Sequence, residues 1–280
     1  MFFRFRNLIS ILVLFFLMSS CGEYQKVLKG PDAKAKYDLA QKYYEAGDFK
    51  RSNRLFEQIA PGYVGKPQGE RVMFFLSDSY FKLKDFNMAG YQFERFIKSY
   101  PQSDKVPEAA FFGARSYYEL SPKYSLDQTD TDKALVKLQG FINMYPESEF
   151  FNEANTMAKE LTTKKERKAF EIAKQFNELG EFNYDLLKSA VASVDNFASD
   201  FPGSIYREEA FFIKLEATTN LAMNSFEVIK KERLNTAKEA YNTFRKQYPV
   251  SEFDKKAENL LEKIERELQN YTEEAPQETK

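Results

Sequence analysis

Two hydrophobic regimes run along the chain. Leu8 to Met18 (LISILVLFFLM) is an apolar run, uncharged throughout, that follows Arg4 and Arg6. It is too short for an ordinary membrane-spanning helix and suits the apolar region of a signal peptide. Behind it, up to about residue 271, no stretch alternates as a half-buried strand does, and the segments predict helices separated by short breaks. The last nine residues (TEEAPQETK) have no apolar periodicity and are expected to fray.

The breaks recur. Four aromatic-proline corners stand at Tyr100-Pro101, Tyr145-Pro146, Phe201-Pro202 and Tyr248-Pro249. Two residues after each proline comes a serine: Ser103, Ser148, Ser204, Ser251. Eight after comes an alanine: Ala109, Ala154, Ala210, Ala257. Five before comes a phenylalanine: Phe96, Phe141, Phe197, Phe244. Twelve before comes another alanine: Ala89, Ala134, Ala190, Ala237. The proline ring disfavours helical geometry in the residue before it, so a helix ends there. The serine is expected to cap the next helix by accepting a backbone N–H. The alanines let paired helices approach closely, and the phenylalanines fill the space between pairs.

A second register extends upstream. Ala40, Tyr43, Gly47-Asp48-Phe49 and Phe56 match Ser77, Tyr80, Lys84-Asp85-Phe86 and Phe93 at a constant offset of 37, and Ser77 and Tyr80 match Ala114 and Tyr117. The unit resembles the tetratricopeptide repeat, which implies an all-α superhelical solenoid of about five helix pairs plus a C-terminal helix. The repeats are expected at 33–61, 67–101, 104–146, 149–202 and 205–249, with a final helix at 252–271. Leu120 to Asp132 reads as a polar loop inside the third repeat, and Glu149 to Leu179 as one long helix ended near Gly180 or Phe182-Asn183.

Composition narrows the chemistry. There is no histidine, which removes the commonest acid–base catalyst and metal ligand, and one cysteine, which excludes an internal disulfide. Net charge is -1, too little basic field to recruit nucleic acid. No phosphate loop, nucleophile elbow or triad pattern is present, so no cofactor and no enzymatic activity are expected. Asp127, Asp130 and Asp132 alternate as calcium ligands do, but lack the glycine and terminal glutamate of an EF-hand loop. The run Lys164 to Lys168 (KKERK) reads first as the solvated face of a helix, with a partner patch as the alternative.

The one cysteine, Cys21, follows Leu17-Met18-Ser19-Ser20. That segment resembles the lipobox of bacterial lipoproteins, with Met18 where leucine is usual. The resemblance implies removal of residues 1–20, acylation of Cys21 and a short tether over 21–30. Gly22 lacks the aspartate of inner-membrane retention, so the periplasmic face of the outer membrane is expected.

Six adjacent aromatic pairs stand out: Tyr43-Tyr44, Phe74-Phe75, Tyr80-Phe81, Phe111-Phe112, Tyr117-Tyr118 and Phe211-Phe212. Neighbouring residues on a helix point about 100° apart, so one member of each pair faces the core and the other is free to line a groove. Tyr43, Tyr44, Phe74, Phe75, Tyr80, Phe81, Phe111, Tyr117 and Tyr118 are the candidate groove residues.

Cys21, the Gly47-Asp48-Phe49 turn, the segment Phe93 to Phe112 and the polar insertion before Ala134 together resemble the BamD family of outer-membrane lipoproteins. That resemblance implies a non-catalytic scaffold that binds the periplasmic domains of a BamA-like barrel insertase and unfolded outer-membrane proteins. Other envelope repeat lipoproteins, such as division or peptidoglycan coordinators and glycan-binding lipoproteins, share such repeats. The former usually carry a coiled-coil segment before the repeats, and the latter are longer and Trp-rich; neither feature is found here.

Overall fold

A computed structural model describes residues 22–273. The expected signal peptide, Cys21 and most of the C-terminal tail lie outside the described residues. Every element among the described residues is a helix: α1 (22–29), α2 (Ala33–Glu45), α3 (Phe49–Tyr63), α4 (Gly69–Lys82), α5 (Phe86–Ser99), α6 (Val106–Leu120), α7 (Thr129–Met144), α8 (Phe151–Leu179), α9 (Asp185–Asp200), α10 (Arg207–Met223), α11 (Glu227–Gln247) and α12 (Asp254–Glu273). They form tetratricopeptide-like pairs, α2/α3 through α10/α11, followed by α12. None is long and apolar enough to cross a membrane.

Local chemistry sets the ends. Asp32 accepts the N–H of Lys34 (2.9 Å) and Ala35 (3.1 Å) to start α2. Asp48 and Asp85 do the same at matching turns, accepting from Arg51 (3.1 Å) and Met88 (3.2 Å). Just before them the backbone turns left-handed, at Gly47 with φ 77 and at Lys84 with φ 62. Glycine adopts that geometry freely; lysine does so against its own Cβ.

The four aromatic-proline corners share one conformation. Tyr100, Tyr145, Phe201 and Tyr248 sit at φ between -133 and -127, each donating its N–H to the carbonyl of the phenylalanine four residues earlier. Each aromatic also leans on that phenylalanine ring at 5.5 to 5.7 Å. The serine Oγ accepts the N–H two residues on, at Lys105 (3.0 Å), Phe150 (3.3 Å), Tyr206 (3.2 Å) and Phe253 (3.0 Å). The next helix begins only three residues after the serine, so serine fixes the turn that leads into the helix rather than capping its first residue.

Two compact units result. The first comprises residues up to Pro122 together with Asp127–Leu161. In it α2, α4 and α6 lie side by side, and α3, α5 and α7 pack between and behind them. Its core holds Phe56, Phe93, Phe96 and Phe111, with Ala89, Ala109 and Ala134 fully buried at the helix crossings. Ala154, Met157 and Leu161, from the start of α8, close it against Leu138 and Phe141.

The second unit is Thr162 onward with Lys123–Leu126. Phe170 and Ala173 of α8 pack with Val194 and Phe197 of α9 and Ala210 of α10. Phe212, Phe244, Ala257 and Ile264 build the layer of α10, α11 and α12. Gly180 follows the end of α8, and a Cβ there would fall 2.2 Å from the Leu187 side chain, so the close approach of α9 requires glycine. The inserted loop is shorter than the sequence suggests: it spans 121–128, and Asp130 and Asp132 occupy the first turn of α7. There they favour the positive helix end, and Asp130 pairs with Lys133 at 3.0 Å.

Candidate functional site

The candidate groove residues sit on α2, α4 and α6, the layer that runs side by side in the first unit. Their offset of 37 gives columns. Tyr44, Phe81 and Tyr118 form one, and Phe75 and Phe112 another. Successive columns meet: Tyr44 stacks on Phe75 with centroids 4.4 Å apart, and Phe81 meets Phe112 edge-on at 5.1 Å. Phe112 continues to Phe150 at the start of α8, at 5.8 Å. The product is a ladder of half-buried rings across three repeats.

Cations cover it. The Arg71 guanidinium lies 5.1 Å from the Phe75 centroid, and Arg115 lies 5.6 Å from Phe81. Arg51 sits over Tyr43 at 5.2 Å and over Tyr24 of α1 at 5.7 Å. These contacts pre-position planar charge beside aromatic faces.

The phenols are tied to carboxylates. Tyr44 donates to Asp78, Tyr80 to Glu57, Tyr117 to Glu94 (2.9 Å) and Tyr118 to Glu160 (2.5 Å). Burial, then the acceptor carboxylate, pushes the Tyr117 phenol up to about 12. For Tyr118 the hydrogen bond to Glu160 leads and burial follows, again to about 12. Tyr44 and Tyr80 shift upward for the same reasons as Tyr117. All four stay protonated donors at any physiological pH. Asp78 is 5% exposed, and burial raises its carboxyl above the usual range despite the Tyr44 hydrogen bond.

The structure corrects part of the candidate set. Phe74, Tyr80 and Phe111 are buried, at 7%, 7% and 0% exposure, because they are the core-facing members of their pairs. They pack the interior rather than the ring ladder, and Tyr80 also borders a cavity with Glu57, Met88 and Gln92. Tyr43, Tyr44, Phe75, Phe81, Tyr117 and Tyr118 remain half-buried on the face, and Phe112 joins them. The 37-residue offset was the signal for that exchange: Phe111 follows Phe74 and Phe112 follows Phe75.

The corresponding helices of the second unit carry both cation-covered rings and ion pairs: Arg207 lies 4.9 Å from the Phe211 centroid and Lys174 lies 5.7 Å from Phe170. Lys174 of α8 pairs with Glu209 of α10 at 2.8 Å, and Asn177 donates to Glu216 at 3.3 Å. Burial raises the Glu216 carboxyl. The basic run of α8 also has work: Lys168 Nζ donates to the Leu126 carbonyl at 2.6 Å, and Arg167 lies 4.2 Å from the Tyr124 ring. These two side chains hold the inserted loop against α8. Among the described residues, no cluster of His, Cys, Asp or Glu could hold a metal ion.

The YfiO family, described as outer membrane lipoproteins, matches residues 30–182, more than half of the chain. The chain belongs to the BamD family of outer-membrane lipoproteins. No curated protein matches it. Among solved structures, the TPR2AB domain of yeast Sti1 in a pHSP90 complex is 13% identical, with a TM-score of 0.39, covering 83% of this chain and 98% of that one. A kinesin light chain with TPR-like repeats from Podospora anserina is 15% identical, with a TM-score of 0.31, covering 86% and 97%. The BamD-family match spans α2 to α8, and so includes the ladder Tyr44–Phe75 and Phe81–Phe112 with its arginines, while Tyr24 of α1 lies before it.

Proposed function

We propose that this BamD-family chain is a non-catalytic scaffold of the outer-membrane β-barrel assembly machinery. It is anchored through an acylated Cys21 at the periplasmic side of the outer membrane. Its first unit receives unfolded barrel proteins, and its second unit docks the periplasmic domains of the BamA-like insertase.

The observation that carries the client assignment is the ladder Tyr44–Phe75 and Phe81–Phe112 with Arg71 and Arg115 over it. Barrel strands alternate apolar and polar residues and carry aromatic girdles near their ends. A face of rings and guanidinium groups holds such strands by stacking and cation–π contact without demanding one sequence. The second unit's ion pairs, Lys174–Glu209 among them, suit a folded partner, whose charges are fixed in space and so confer register.

The test is binding of a denatured, fluorescently labelled barrel protein, diluted from urea, to the lipoprotein in detergent. Replacing Phe75→Ser and Phe81→Ser together is expected to weaken binding about tenfold, since each aromatic contact contributes roughly 0.5–1.5 kcal/mol. Unchanged binding by a folded double variant contradicts the client face.

A further inference from the structure

We propose that the corner between α7 and α8 is a second docking site, which takes a lysine- or arginine-bearing apolar segment of a partner protein. The proposal does not rest on the client assignment above.

An open cavity of about 680 Å³ lies at this corner in the first unit. That is within the range of pockets that hold ligands of a few side chains. Its floor is Phe150, stacked flat on buried Phe111 with centroids 4.4 Å apart and planes 7° from parallel. Its wall is Tyr145 and Met144, the latter 69% exposed despite its apolar thioether chain. Methionine at a binding surface adapts its shape to varied apolar partners.

The rim is acidic. Asp104, Glu147 and Glu149 line the opening. None forms an ion pair among the described residues. The one cation at the cavity, Lys105, is taken by Glu108 at 2.6 Å. This corner also differs from its three counterparts, since it alone reads Pro-Glu-Ser-Glu, where the others have Gln, Gly or Val after proline.

Charge complementarity selects the occupant. Three unpaired carboxylates repel anionic lipid headgroups and acidic peptides, and attract Lys or Arg. The apolar floor then rewards an aliphatic or aromatic neighbour on the same segment.

The test uses the full mature lipoprotein in detergent and fluorescence anisotropy of short labelled peptides. A peptide alternating Arg and Leu is expected to bind, whereas one alternating Glu and Leu, or Arg and Ser, is not. Replacing Glu147→Lys and Glu149→Lys together is expected to weaken the Arg–Leu peptide about tenfold or more, and Met144→Ser about threefold. The neutral pair Glu147→Gln and Glu149→Gln, which keeps shape and hydrogen bonding, is expected to fall between wild type and the charge reversal. Equal binding of the Arg–Ser peptide, equal binding by the charge-reversed protein, or no binding of the Arg–Leu peptide overturns the proposal. A photo-crosslinking amino acid in place of Met144 identifies the occupant in the envelope. A crosslinked segment bearing Lys or Arg beside apolar residues supports the site; a crosslink to lipid or to a second copy of this chain overturns it.

Discussion

At the residue scale, two side chains work against their own preferences. Lys84 holds φ 62 at the turn where the preceding repeat has Gly47 at φ 77. Lys84→Gly is expected to stabilise the protein by about 0.5–1 kcal/mol, the relief of left-handed strain less the added unfolded-state freedom. A higher melting temperature checks this. Asp78 is the second case, buried as a carboxylate whose largest influence is desolvation. An acid with a raised folded pKa gains from protonation, so its contribution is most favourable below the unfolded value of about 3.9 and declines as pH rises through the folded one. Asp78→Asn keeps an oxygen for the Tyr44 hydroxyl and removes the buried charge. The variant is therefore expected to be more stable than wild type at neutral pH, with the gap closing towards pH 4. Denaturant melts across that range decide it, and a gap that widens as pH falls contradicts the assignment.

At the element scale, the repeat is a corner motif stacked on itself. Ala89, Ala134, Ala190 and Ala237 are all fully buried where helices cross. Placing phenylalanine at any one of them is expected to overpack the crossing and cost about 1–3 kcal/mol. Thermal melts of the four single variants check the register, and an unchanged melting temperature in all four contradicts it. These positions were legible in the sequence because one physical demand recurred with one residue type. Where the type varied, the pattern hid. Four residues after each corner proline stand Lys105, Phe150, Tyr206 and Phe253. Phe150, Tyr206 and Phe253 stack on Phe111, Phe170 and Phe212 at 4.4 to 5.0 Å, while Lys105 sits over Phe74 at 5.3 Å. Lysine broke the column in sequence, yet its cation answers the same aromatic face. The loop was hidden for another reason. Its anchor to α8, Lys168 to Leu126, joins residues 42 apart by a backbone carbonyl, which has no signature in residue type.

At the scale of the whole molecule, cation-covered rings occur in both units, and in the first they join into the ladder Tyr44–Phe75 and Phe81–Phe112 across successive repeats. The candidate face was legible in part as adjacent aromatic pairs: Phe74-Phe75, Tyr80-Phe81 and Phe111-Phe112 each send one member inward, whereas both members of Tyr43-Tyr44 and Tyr117-Tyr118 stay half-buried on the face. The 37-residue register carries Phe74 to Phe111 and Phe75 to Phe112, but it does not separate buried Tyr80 from half-buried Tyr43 and Tyr117; Phe74, Tyr80 and Phe111 are the corrected positions. The membership of the BamD family, over residues 30–182, gives these surfaces their proposed partners. The proposed scaffold binds a barrel insertase. The direct measurement is affinity capture of the tagged, full-length lipoprotein from detergent-solubilised outer membranes, with mass spectrometry of what co-purifies. Near-stoichiometric recovery of a BamA-like barrel protein, retained by the Phe75→Ser/Phe81→Ser variant, is the expected result. Wild-type protein that captures no barrel insertase contradicts the claim.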